Sequence, residues 1–73
     1  MNTERLFKIV LVDLTSDQLK LEDELEKTIN SDMEINIKVS NIKSLLNRMS
    51  INESSLTRFN SMIEANNNNN PSN

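Results

Sequence analysis

This chain of 73 residues contains neither cysteine nor histidine, and no other feature limits its possible folds so sharply. A domain this short buries only about 60% of the surface that its unfolded form exposes, so its stability is marginal. Without cysteine it has no disulfide framework to compensate, and no thiolate to serve as nucleophile or metal ligand. Without histidine it lacks the commonest general base and the commonest metal ligand. Glycine is absent as well, which excludes phosphate-cradling loops of the P-loop or dinucleotide type. Phe7 and Phe59 are the only aromatic residues. The chain is expected to be one small domain, with no enzymatic activity and no cofactor, that works by binding.

Eleven acidic against eight basic residues give a net charge of −3 and a pI near 4.8. Residues 1–40 carry nine acids and five bases, a net of −4. Residues 41–73 carry two acids (Glu53, Glu64) and three bases (Lys43, Arg48, Arg58), a net of +1. An acidic half joined to a faintly basic half points to a bipartite surface, and ordinary solubilising charge is the competing reading. The longest apolar run, Ile9-Val10-Leu11-Val12, is far below the ~18 residues of a membrane span. No basic stretch followed by a long apolar one opens the chain, so a cytoplasmic location and no membrane partner are expected.

The local patterns predict an α+β fold in the order β-α-β-α-α. Leu6 to Val12 is β-branched or apolar on nearly every residue, which reads as a strand over 6–13, buried on both faces and ended by Asp13. Thr15 and Gln18 have capping-box spacing, and Leu14 and Leu19 stand where a hydrophobic staple would. They predict a helix over 16–29 with a Leu21–Leu25–Ile29 stripe, Thr28 beside it, and pairs at Lys20–Glu24 and Asp23–Lys27. Asn30-Ser31-Asp32 is turn chemistry. Met33, Ile35, Ile37 and Val39 alternate with polar residues, which predicts a half-buried strand over 33–39. From Ile42 the period becomes helical: Ile42, Leu45, Leu46 and Met49, then Leu56, Phe59 and Ile63 with Met62 beside them. The apolar phase runs unbroken from Ile42 to Ile63, as one long helix with Asn52 in its seam would require. Against this, residues 50–55 are poor in helix formers and rich in caps, which favours two helices, 41–49 and 53–65. The domain is thus expected to span 1–65, with a two-stranded sheet, followed by a disordered Asn-rich tail over 66–73. Its expected core is Phe7, Ile9, Leu11, Leu21, Leu25, Ile29, Ile35, Ile37, Ile42, Leu45, Met49, Leu56, Phe59 and Ile63.

Residues 42–61 resemble a helix-turn-helix module, because Leu45, Met49, Ile51, Leu56 and Phe59 fall on its apolar positions. The resemblance implies a recognition helix over 53–65 entering the major groove of duplex DNA. Ser54, Ser55, Thr57 and Arg58 would then face the DNA, with Lys43 or Arg48 on phosphate.

Glu22, Asp23, Glu24 and Glu26 form a dense acidic run. On a helix these carboxylates radiate apart, and no oxygen-rich loop accompanies them, so a solvated face is expected rather than a cation site. Two functions compete. In the first, Asp17, Glu22, Asp23 and Glu26, with Leu19 as an apolar anchor, dock on a basic protein and exclude DNA from it by charge complementarity. In general character the small, acidic, Asn-rich chain is similar to host-takeover proteins of lytic phages, several of which inhibit DNA-transacting host proteins this way. That resemblance implies action in a host cytoplasm. In the second, the chain is a small transcription regulator that binds DNA through residues 42–61. The acid excess favours the first. A homodimer is also expected, because both strands of a two-stranded sheet would be open edges.

Overall fold

The computed structural model describes residues 3–68, which form two α-helices, α1 (Thr3–Ile29) and α2 (Ile35–Asn68). They pack antiparallel as a hairpin, and the molecule is a rod with extents of 59 × 17 × 15 Å. Phe7 near the start of α1 meets Phe59 near the end of α2, with ring centroids 5.5 Å apart and planes at 88°, the edge-to-face geometry that aromatic pairs favour.

A single seam builds this fold. Along α1, Phe7, Leu11, Leu14, Gln18, Leu21, Leu25 and Thr28 recur at alternating intervals of four and three. Along α2, Lys38, Ile42, Leu45, Met49, Asn52, Leu56, Phe59 and Ile63 do the same, and every one of these residues is buried or half-buried. An average spacing of 3.5 keeps a side-chain row facing its partner helix along the full length of a coiled pair. Leu21, Leu45 and Thr28 are the most deeply covered, at 7%, 6% and 8% exposure. Midway, the seam is polar. The Asn52 amide donates to the Leu14 carbonyl and to the Gln18 side-chain oxygen, both at 3.0 Å, and Gln18 donates to Glu53 at 3.0 Å.

The turn at Asn30 to Glu34 reverses the chain without any residue at positive φ among those described, so the missing glycine costs nothing there. The Asn30 amide bonds to the Glu26 carbonyl at 3.1 Å. The Thr28 carbonyl accepts from both the Ser31 amide and its hydroxyl, at 3.2 and 2.6 Å. Lys38 then reaches back from α2 to the Ser31 carbonyl at 3.0 Å. The Glu34 carboxylate accepts from the amides of Asn36 and Ile37, at 3.0 and 3.2 Å, and this capping starts α2.

The predicted α+β fold and its two-stranded sheet are overturned, since the described residues contain no strand. Residues 6–13 are helical. A nearly continuous apolar run fits a buried strand or a buried helix equally by periodicity, and Phe7, Leu11 and Leu14 lie on the seam, so packing decides for the helix. Its β-branched residues cost only a few tenths of a kcal/mol each in propensity. Consequently the helix starts at Thr3 rather than at 16, Asp13 ends nothing, and the Thr15–Gln18 box and Leu14–Leu19 staple lie in mid-helix. Residues 35–39 are also helical, because the Glu34 cap starts α2 inside the alternating stretch. Ile35, Ile37 and Val39 are exposed, as are Ile9, Ile29 and Leu46. No break separates 41–49 from 53–65. The polar groups that suggested one are used elsewhere: Asn52 bonds across the seam, and the Ser55 hydroxyl donates to the Ile51 carbonyl at 3.1 Å. Residues 66–68 belong to α2 rather than to a tail, and the disorder expected over 69–73 lies outside the described residues. With no strand among the described residues, the edge pairing expected of a homodimer does not arise.

Leu21→Ala and Leu45→Ala are each expected to cost about 2–3 kcal/mol in urea denaturation. This is the lower part of the range for buried leucines, because the seam is one helix thick. Ile51→Ala, at a position 60% exposed, is expected to stay within about 0.5 kcal/mol. Replacing the polar layer by Gln18→Leu with Asn52→Leu should raise the denaturation midpoint while weakening register, read as broadened or doubled resonances in NMR. A single set of sharp resonances in the double variant would show that the layer does not select the register.

Candidate interaction face on the first helix

Asp17, Leu19, Glu22, Asp23 and Glu26 all lie on α1 and are exposed. Helical geometry, at about 100° per residue, sorts them. Leu19, Glu22 and Glu26 share one stripe with Arg5, Lys8, Val12 and Thr15, again at alternating intervals of three and four, and about a quarter turn from the seam. Asp23 adjoins this stripe. Asp17 does not: it lies in the groove on the other side of α1, with Lys20, Glu24 and Arg48.

Two ion pairs draw on the acidic residues of α1. On the Asp17 side, Glu24 reaches Arg48 of α2 at 3.8 Å. Asp23 holds Lys27 at 3.0 Å, and the hydrogen bond that the Lys27 ammonium donates to the Asp23 carboxylate, reinforced by the carboxylate's charge, raises the Lys27 pKa above its ordinary value. Glu22 and Glu26 take part in neither pair. The Lys20–Glu24 pair expected from spacing gives way to Glu24–Arg48. Leu19 is 62% exposed, whereas Leu14 lies half-buried on the seam, so no staple accounts for Leu19. It adjoins an apolar surface formed with Leu11, Val12, Thr15 and Ser16. Val12, Thr15 and Lys8 were not among the expected site residues. Their three–four spacing with Leu19 and Glu22 is legible in the sequence once the helix is known to begin at Thr3.

The residues expected to touch DNA occupy α2. Residues 42–61 form one uninterrupted helix, so the turn that a helix-turn-helix module requires at 50–52 does not exist. Lys43, Arg48, Ser54, Ser55, Thr57 and Arg58 are exposed but spread over about half the circumference of α2, and Arg48 is engaged by Glu24. Ser54, Thr57 and Arg58 line a shallow outer groove with Ser50, Glu53 and Ser61. Among the described residues no acidic group is arranged to hold a metal ion, and no helix is long and apolar enough to cross a membrane.

No protein-family model matches the chain, and no curated protein or solved structure is similar to it. Function is therefore read from the site's own residues.

Because Asp23 raises the Lys27 pKa, the pair stabilises the fold below the ordinary lysine pKa, and the contribution is lost as pH rises through the raised value. Asp23→Asn is expected to lower the Lys27 pKa toward that of an isolated lysine in an NMR titration. An unchanged pKa would show that the pair does not persist in solution.

Proposed function

We propose that the protein is a non-enzymatic regulatory binding module of the cytoplasm. It lays the acidic part of α1 against a basic protein surface, such as that of a DNA-binding protein, and so excludes DNA from it. The observation that carries this reading is the placement of Glu22 and Glu26 one turn apart on an exposed face. Neither is in an ion pair with Lys27 or Arg48, and the exposed Leu19 lies just before them. Carboxylates held on a rigid helix present negative charge at fixed spacing, as a phosphate backbone does, and such complementarity speeds encounter and selects the partner. An apolar residue beside the charges supplies the desolvated anchor that charge alone does not. The helix is already ordered by the seam, so docking carries little cost in conformational entropy.

Glu22→Lys combined with Glu26→Lys is expected to abolish capture of basic nucleic-acid-binding proteins from nuclease-treated bacterial extract. Far-UV circular dichroism should stay unchanged, because both positions lie off the seam. Capture by the wild type should fall steeply as salt rises from low to physiological strength. Arg58→Ala should leave capture intact. Loss of activity in Arg58→Ala, with none in the double reversal, would transfer the function to α2 and to duplex DNA.

A further inference from the structure

Followed from Arg5, the exposed stripe of α1 changes character in three steps. Arg5 and Lys8 are basic, Val12, Thr15 and Leu19 form an apolar middle, and Glu22 and Glu26 are acidic. Val12 and Leu19 are 61% and 62% exposed. This order is self-complementary under reversal. With Thr15 of one copy facing Thr15 of another turned end to end, Val12 meets Leu19, Lys8 meets Glu22 and Arg5 meets Glu26. A two-fold axis demands this arrangement, in which each contact occurs twice with the roles exchanged.

We propose that the stripe pairs with the same stripe of a second copy, α1 against α1 antiparallel, and that this pairing covers the acidic docking surface until a basic partner displaces it. The inference rests on the reading of that surface given above, and adds its regulation. As an elongated hairpin the chain leaves more surface in water than a compact chain does: 5844 Å² against about 4,600 Å² for a compact chain of 8.4 kDa. The radius of gyration of 17.1 Å, against about 11 Å for a compact chain of this length, reflects the same elongation. The geometry also suits pairing. The stripe stands about a quarter turn from the seam, so α1 can contact α2 on one side and α1 of the second copy on the next, as each helix of a four-helix bundle contacts two neighbours. Small chains without disulfides or structural metals commonly gain their missing burial by oligomerising.

The test uses charge reversal with the full chain, read by sedimentation equilibrium over a wide concentration range. Wild type should dimerise. Lys8→Glu alone and Glu22→Lys alone should each weaken the dimer about tenfold or more, because each places like charges at both symmetric contacts. An equimolar mixture of the two single variants should restore association, since both contacts then pair Glu with Lys. Val12→Glu should abolish the dimer whatever the charges, and circular dichroism should confirm helicity in every variant. A wild type that stays monomeric throughout, or a mixture no tighter than its components, overturns the inference. If such a protein still captures basic proteins through Glu22 and Glu26, the proposed function stands without it. A dimer that obeys the charge-swap pattern but captures nothing basic overturns the proposed function and leaves the pairing.

Discussion

Two helices of 27 and 34 residues stay folded only because each offers the other one row of side chains. Helices of this length are marginal in water when isolated, and most helical stability in proteins comes from packing an apolar face. Here that packing is one line of contact, with no second layer behind it. Only Leu21, Leu45 and Thr28 on the line are deeply buried, so few layers carry most of the burial. The Gln18–Asn52 layer has a different task. A slip of one heptad would set the half-buried Asn52 amide beside an apolar layer, without the Gln18 side-chain oxygen that now accepts from it, and a polar group left unpaired away from water costs up to about 1–3 kcal/mol. The polar layer thus contributes little stability of its own but fixes which residues stand opposite which.

Once the register is fixed, the chemistry of the surface follows. The seam covers one stripe of α1 and brings one flank of that helix against α2, where Glu24 finds Arg48. On this flank, charge is partly cancelled inside the chain. The other flank carries the Arg5-to-Glu26 stripe, whose apolar middle is left in water. Apolar surface next to charges of both signs, separated along one helix, is a common basis of specific recognition between helices. It follows from where the seam runs as much as from which residues are present.

The second half of the chain was largely legible in its sequence. Ile42, Leu45, Met49, Leu56, Phe59 and Ile63 were expected in the core and lie on the seam, and the continuous phase through Asn52 pointed to the long helix that forms. What misled was local chemistry: Ser and Asn residues that favour caps when exposed are satisfied here by carbonyls within the helix or across the seam. The first half was less legible for a different reason. In 6–12 nearly every residue is apolar, so periodicity carries no phase, and Phe7 belongs to a repeat that becomes visible only beside Leu14 and Leu21. The alternation from Met33 to Val39 straddles a turn and a helix start, and Glu34, an uncommon cap, hid the boundary. The acidic residues were identified correctly as exposed, but the split between Asp17 and the Glu22–Glu26 stripe depends on helical phase relative to a partner helix that the strand reading had removed.

The proposed docking residues stand on a helix that is held along one seam against its partner, which suits the role in surface recognition proposed above. The hairpin's rigidity matters more for such a role than its stability. Because the seam holds the stripe in place, a partner meets a preformed array rather than a disordered segment, and affinity is not spent on ordering α1. The same rigidity makes the stripe available to any surface of matching pattern, including that of another copy. If two copies pair through it, the fraction of chain open to a basic partner falls with concentration, and the apparent affinity falls by that fraction. A partner then succeeds only where its own surface opposes Glu22 and Glu26 better than Lys8 and Arg5 of a second copy do. Self-pairing thereby sets a threshold that weakly basic proteins do not cross.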